Sequence, residues 1–204
     1  YINLRPCKAY PGNPLNYRDN IDLVIFRENT EGSYAGVEFF PLPEEVRQAL
    51  MLHPKMKDFK DVPADEIAVS TRIMTKKGCE RIVRAAFEYA RQYKRKSVTL
   101  VEKPNVLRET GGLMLREARR VAAEYPEIKF IEANVDAMCM WLIKNPQDYD
   151  VLVTWLPSWS VVLALPVLEI SEITMLSLNQ LMAQLPNIPV FTRLIRLPRC
   201  WQQK

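Results

Sequence analysis

Ile21-Asp-Leu-Val-Ile-Phe-Arg-Glu-Asn-Thr-Glu-Gly-Ser-Tyr-Ala-Gly36 joins an apolar run to a charged turn. Ile21 to Phe26 predicts a strand, and Arg27, Glu28 and Asn29 put charged and hydrogen-bonding groups at its end before the chain turns through Gly32. Open α/β sheets collect their ligands at such strand ends. Tyr34 follows within the same turn. The residues alone leave two readings, a ligand-binding turn and a solvated one.

Working outward, the segment from Tyr1 to Asp19 is rich in Pro, Asn and Tyr and predicts extended chain and turns, with Arg5 held out of helical geometry by Pro6. Phe39 to Asp65 carries four prolines and many charges, which predicts a connecting excursion with one short helix from Pro43 to Leu52. Glu66 to Met74 predicts a strand, and Thr75 caps a helix whose Ile82, Ala85, Ala86 and Tyr89 recur at helical spacing. Strands follow at Ser97–Lys103, Ile128–Ala133 and Tyr149–Thr154, separated by helices at Leu113–Tyr125 and Val135–Lys144. Strands alternating with helices of this length predict an α/β fold.

With 204 residues, 48% of them hydrophobic and 25% charged, the chain is long enough to bury a substantial core. Its net charge of +4 is dispersed, and the densest basic run, Arg91 to Lys96, falls at a helix end where cations offset the helix dipole, so nucleic-acid binding is not expected. Cys7, Cys79, Cys139 and Cys200 form no short pair, which argues against a zinc site or a disulfide framework and for a reducing cytoplasm or an organelle matrix. The longest uncharged apolar stretch, Trp155 to Leu168, is too short to span a bilayer and is broken by two prolines, so no membrane partner is expected. His53 is the single histidine, which excludes a histidine-based triad. Met138 and Met140, flanking Cys139, read as core packing.

Polar groups at strand ends are the candidates for chemistry. Lys103 closes an apolar strand and reads either as a general acid or base or as a solvated lysine. Asp136 follows Asn134 at a helix start, where capping alone would account for an acid. Arg5 and Arg27 each offer the fork that pairs with a carboxylate.

Five motifs then occur in one order. They are Leu4-Arg-Pro6; the Arg27–Gly36 turn with Val37-Glu38; Arg81-Ile-Val-Arg-Ala-Ala-Phe-Glu-Tyr-Ala90; Val98-Thr-Leu-Val-Glu-Lys-Pro-Asn105; and Val135-Asp136 ahead of Tyr149-Asp-Val-Leu-Val-Thr154. Together they resemble the isocitrate and isopropylmalate dehydrogenase family, the metal-dependent β-decarboxylating dehydrogenases, over residues 1–154. Tyr-Ala-Gly-Val-Glu and Val-Arg-Ala-Ala lean towards isocitrate dehydrogenase, with isopropylmalate and homoisocitrate as sibling substrates.

The resemblance implies a small dimer-forming α/β domain plus part of a large-domain sheet, a homodimer, a small 2-hydroxy acid substrate, NAD or NADP, and Mg²⁺ or Mn²⁺. It implies that Arg5 and Arg27 clamp substrate carboxylates and that Tyr34 protonates the enol left by decarboxylation. Lys103 would assist removal of the hydroxyl proton in the neighbouring subunit's site, Asn105 would lie near the nicotinamide ribose, and Asp136 would reach across the dimer to the metal.

The departures are equally specific. In the family, strands and a serine-bearing segment that reads the substrate precede the position of Tyr1, and two further metal-binding aspartates follow the position of Thr154. Trp155-Leu-Pro-Ser158 stands there instead, leaving one of three such aspartates. Residues 155–204 hold 6 charged residues, three of the four tryptophans and no glycine, with apolar positions Ile170, Ile173, Leu176 and Leu181 at helical spacing. Read one base early, with free choice of synonymous codons, they spell a stretch containing GGLG, GNIGDN and HGSAP, which resembles the family's next segment. We therefore expect residues 155–204 to be a frameshifted tail, the chain to be inactive as it stands, and its solubility to be low.

Overall fold

The computed structural model describes residues 2–14, 16 and 18–155. In chain order the elements are β1 (Ile2–Lys8), β2 (Asp22–Glu28), β3 (Glu38–Phe39), α1 (Glu44–Leu50), β4 (Val69–Ser70), α2 (Lys76–Gln92), β5 (Ser97–Glu102), α3 (Arg108–Ala122), β6 (Lys129–Asn134), α4 (Val135–Lys144) and β7 (Val151–Thr154). One five-stranded sheet has the order β1-β2-β7-β5-β6; β2, β7, β5 and β6 run parallel, and β1 closes one edge antiparallel. The expected α/β fold is present, and β3 and β4 add a separate two-stranded ribbon.

Alternation along the strands sorts the core into two layers. Val24, Phe26, Val98, Leu100, Val151 and Val153 pack with α2 and α3, while Leu23, Ile25, Val101 and Leu152 pack with Val135, Met138 and Leu142 of α4. On α2 the buried residues Cys79, Ile82, Val83, Ala86, Phe87 and Ala90 repeat every three or four positions, so one stripe faces the sheet. The Phe87 ring stacks on Tyr125 with centroids 5.1 Å apart, and burying a side chain of that size stabilises by about 2–3 kcal/mol. The basic run after α2 is held locally: Arg95 pairs with Asp22 at 2.7 Å.

Three elements differ from the sequence reading. The amino-terminal segment holds a seven-residue strand rather than only extended chain and turns. Pro6 masks it in the sequence, and the proline is tolerated because β1 is an edge strand. The strand expected over Glu66–Met74 shrinks to Val69–Ser70: Glu66 belongs to a 3₁₀ turn over Ala64–Glu66, and Ile73 makes only an isolated bridge to Gly32. Helix α3 starts at Arg108, five residues before Leu113, because Gly111 lets the first turn lie against Pro104; an added Cβ would stand 3.3 Å from the Pro104 Cα.

Among the described residues no helix is long and apolar enough to cross a membrane. The apolar periodicity at Ile170–Leu181 and the shifted reading frame fall outside the described residues. Trp155 falls inside them and is fully buried in the α2/α3-side core, its ring 3.4 Å from where a Cβ on Gly32 would be.

Candidate active site

The parallel strands end level with one another: Arg27 and Val101 both pair with Thr154, and Glu102 pairs with Asn134. Arg27, Lys103 and Asp136 therefore emerge along one carboxyl edge. They do so in two groups, because β7 separates β2 from β5 and two strand spacings put those backbones about 10 Å apart.

The first group contains Arg5, Arg27 and Tyr34. Arg27 stands opposite Asn3 in the β1–β2 ladder, and Arg5 lies two residues along, so all three share a sheet face. Arg5 donates from Nε to Asn3 Oδ1 at 2.9 Å, and Arg27 from Nη2 to Asn29 Oδ1 at 2.9 Å. The Arg27 guanidinium is buried and lies 4.9 Å from the centroid of the Tyr34 ring, a cation–π contact. Burial pulls the Arg27 pKa below its ordinary value; the Tyr34 phenol opposes this and the Arg5 charge adds to it. Such a guanidinium stays protonated at any physiological pH, so the face is cationic and suited to carboxylates.

The second group contains Lys103, Asp136 and Asn105. Lys103 Nζ lies 2.9 Å from Asp136 Oδ2, at the rim, with the aspartate mostly exposed. Lys103 is thus ion-paired rather than set among apolar groups. Asn134 caps α4 by accepting from the Asp136 N–H at 3.0 Å and also donates to Asn105 Oδ1 at 3.2 Å. Helix capping and site placement coincide at Asp136.

The sequence reading names Glu28, Gly32 and Thr75 but not their joint role with Thr30, Glu31 and Arg81 in holding the turn between Arg27 and Tyr34. Glu28 has a fully buried side chain; its Oε1 accepts from the Asn29 N–H at 3.0 Å, the Thr30 N–H at 2.9 Å and the Thr30 hydroxyl at 2.6 Å. Its Oε2 accepts from Arg81 on α2 at 3.0 Å. Glu31 accepts from the Thr75 N–H at 2.8 Å and the Thr75 hydroxyl at 2.9 Å, supplementing the cap of α2. Gly32, with φ of 69°, makes the bend that turns Tyr34 back over Arg27, and its N–H reaches the Ile73 carbonyl at 2.7 Å. The signal for this arrangement is two carboxylates flanking Asn-Thr, with a Thr75-x-x-Gly78 helix start further on. Elsewhere on the edge, Glu102 is buried against Arg72 at 3.0 Å. His53 is exposed and caps a short 3₁₀ turn, Nδ1 accepting from the Lys55 N–H.

For a divalent metal, Asp136 supplies one carboxylate, and among the described residues no group of three or more His, Cys, Asp or Glu side chains gathers. Mg²⁺ and Mn²⁺ prefer six oxygen donors, so these residues by themselves do not fit the ion. Asn105 alone likewise does not make a dinucleotide site.

The fold and this edge define an open α/β sheet with a cationic two-arginine face beside a lysine–aspartate pair. The family model for isocitrate/isopropylmalate dehydrogenase matches residues 1–155, and the chain belongs to that family. It is 40% identical over 155 residues to a mitochondrial regulatory subunit of the NAD isocitrate dehydrogenase of Dictyostelium discoideum, covering 76% of this chain and 37% of that protein. It is 37% identical over 153 residues to the chloroplastic 3-isopropylmalate dehydrogenase of Solanum tuberosum, covering 75% and 36%. The crystal structure of isocitrate dehydrogenase from Methylococcus capsulatus superposes with a TM-score of 0.65 at 40% identity, over 80% of this chain and 42% of that one. The chain thus spans a little over a third of the length of the curated relatives it matches.

Proposed function

We propose that residues 2–155 carry part of the machinery of an isocitrate dehydrogenase, which oxidatively decarboxylates isocitrate to 2-oxoglutarate with reduction of NAD or NADP. The observation that carries this reading is the buried Arg27 guanidinium held over the Tyr34 ring, with Arg5 on the same face. In it, Arg5 and Arg27 bind and orient the substrate carboxylates, and the Tyr34 hydroxyl delivers a proton to the enol carbon. Lys103 assists removal of the substrate's hydroxyl proton in the site of a neighbouring copy, in keeping with the roughly 10 Å between the backbone of β2 and that of β5, which Lys103 follows. Asp136 would contribute one oxygen towards Mg²⁺ or Mn²⁺, and Asn105 would face the nicotinamide ribose of a dinucleotide, whose part would be to supply a hydride acceptor.

One carboxylate does not hold the metal alone, so this chain as it stands binds substrate without turning it over. A homodimer is the expected assembly, and residues 155–204 are read as a shifted-frame tail. The mitochondrial naming of the Dictyostelium relative supports an organelle matrix alongside the cytoplasm. Two other readings have support. The Solanum relative favours 3-isopropylmalate as substrate, with homoisocitrate a further sibling, and the regulatory name of the Dictyostelium relative favours a non-catalytic subunit or fragment that keeps a dimerisation surface.

Calorimetric titration of the full chain with isocitrate, 3-isopropylmalate, NAD⁺ and NADP⁺, with and without Mg²⁺, tests this. Saturable isocitrate binding that Arg27→Ala weakens by about thirtyfold or more, the effect of truncating a desolvated charge partner, is expected. Tighter binding of 3-isopropylmalate would reassign the substrate. Absence of saturable binding by either acid would leave the non-catalytic reading.

A further inference from the structure

We infer that Arg81 is a positioning residue for the carboxylate-binding face: it bolts the Arg27–Tyr34 turn to helix α2. Arg81 Nη2 donates both to Glu28 Oε2 at 3.0 Å and to Thr30 Oγ1 at 3.1 Å, while the Thr30 hydroxyl donates to Glu28 Oε1 at 2.6 Å. The three side chains close a ring, so neither Glu28 nor Thr30 can rotate without breaking a charge-assisted bond. The ring fixes the backbone immediately after Arg27. At the start of α2, Thr75 fixes Glu31, immediately before Gly32 and Tyr34. Residues 28–31 are therefore moored along one helix at two points. The 4.9 Å separation of the Arg27 guanidinium from the Tyr34 ring is the geometry that this mooring holds. Arg81 acts on both side chains through the turn.

The consequence for substrate rests on the isocitrate dehydrogenase reading: a turn free to shift misaligns the guanidinium, and misplacements of the order of an ångström weaken binding of an oriented ligand steeply. The mooring itself does not depend on that reading.

The test uses the full chain and compares Arg81→Met and Arg81→Lys with Arg84→Met. Arg84 lies three residues on along the same helix and pairs with Glu80 and Glu124, away from the turn. Nitrogen-15 NMR of the Arg27 side chain reads the mooring without ligand, because a guanidinium 4.9 Å from the Tyr34 ring centroid should have its Nε–H resonance displaced by the ring current. We expect that displacement to be lost in Arg81→Met, partly kept in Arg81→Lys and unchanged in Arg84→Met, with isocitrate binding weakened about tenfold or more in the first only. Unaltered Arg27 resonance and isocitrate affinity in folded Arg81→Met would overturn the inference. Should Arg81→Met not fold, because Glu28 is left as a buried unpaired charge, Glu28→Gln/Arg81→Met removes that charge, and a retained ring-current displacement there overturns the inference equally. Loss of the displacement in a chain that binds no isocitrate would uphold the mooring and sink the functional reading instead.

Discussion

Gly78→Ala isolates the contact that ties the turn to the start of α2. Gly78 sits in the first turn of that helix, where Ala should stabilise by about 1 kcal/mol because it loses less backbone entropy. Its absent Cβ is the reason this fails here. A methyl group would stand 2.6 and 2.7 Å from the two carboxylate oxygens of Glu31 and 2.8 Å from its Cδ, so the carboxylate must swing away. The swing itself is cheap for a flexible side chain, but it surrenders the bonds from the Thr75 N–H at 2.8 Å and the Thr75 hydroxyl at 2.9 Å. Bonds to a charged group contribute about 1.5 kcal/mol each at the solvent-accessible end of their range, about 3 kcal/mol together. Set against the helix gain, the net is a destabilisation of about 2 kcal/mol, or a fall in Tm of about 4–8 °C for a domain of this size. Urea denaturation of Gly78→Ala, Glu31→Ala and the double variant measures it as a cycle. With Glu31 truncated the methyl group has room, so Gly78→Ala should become stabilising in that background. A Gly78→Ala that raises stability in the otherwise native chain, or that costs the same in both backgrounds, refutes the reasoning.

Burial pushes the Cys7 and Cys79 thiols up to about 12, the Arg5 charge resisting at Cys7 and the Glu31 charge reinforcing at Cys79. At pH 8 only about one molecule in ten thousand carries either thiolate, so iodoacetamide should leave both unmodified in the folded chain; mass spectrometry showing alkylation at the rate of the unfolded chain would contradict this. A raised folded-state pKa favours the neutral native thiol, so this stability is complete below pH 9. It is lost as pH climbs from 9 towards 12, by up to about 1.4 kcal/mol per pH unit and thiol, which urea midpoints across that range will show or fail to show. Between α2 and α3, Arg84 bonds Glu80 at 2.9 Å and Glu124 at 2.7 Å, and Arg120 bonds Glu80 at 2.9 Å, which holds both carboxylates below their usual 4.5. Depressed carboxylates stabilise above that value and cease to as pH falls below it. Thermal melts should therefore show acid destabilisation below pH 4.5 that Arg84→Met and molar salt both diminish; equal acid sensitivity in the variant would dismiss the lattice as a contributor.

How much of the molecule is legible in its sequence depends on whether a feature is local. The apolar run before Arg27, the Thr75 cap and the whole of α4 with its Asn134 start are readable because pattern and cap occur within one turn or one strand of each other. β1 is not, since an edge strand is defined by its partner: Ile2 to Lys8 pairs with β2 across a loop whose prolines and asparagines dominate the local signal. The same limit applies to the site. Arg5, Arg27, Tyr34, Lys103, Asn105 and Asp136 can each be named from motif order, yet their division into two groups along the edge follows from β7 lying between β2 and β5, a crossover that no window of sequence displays.

That division bears on what a single chain can do. A turn moored at Arg81 and Thr75 sets the Arg27 guanidinium over the Tyr34 ring through contacts within one chain. The Lys103–Asp136 pair lies further along the edge, each group neutralising the other at 2.9 Å. Substrate binding and proton removal would thus have different requirements. A monomeric chain should retain carboxylate affinity that is lost in Arg27→Ala and unaffected in Lys103→Met. If isocitrate titrations instead show Lys103→Met weakening affinity as much as Arg27→Ala does at concentrations where sedimentation finds only monomer, the two groups share one site within one chain, and the need for a neighbouring subunit falls.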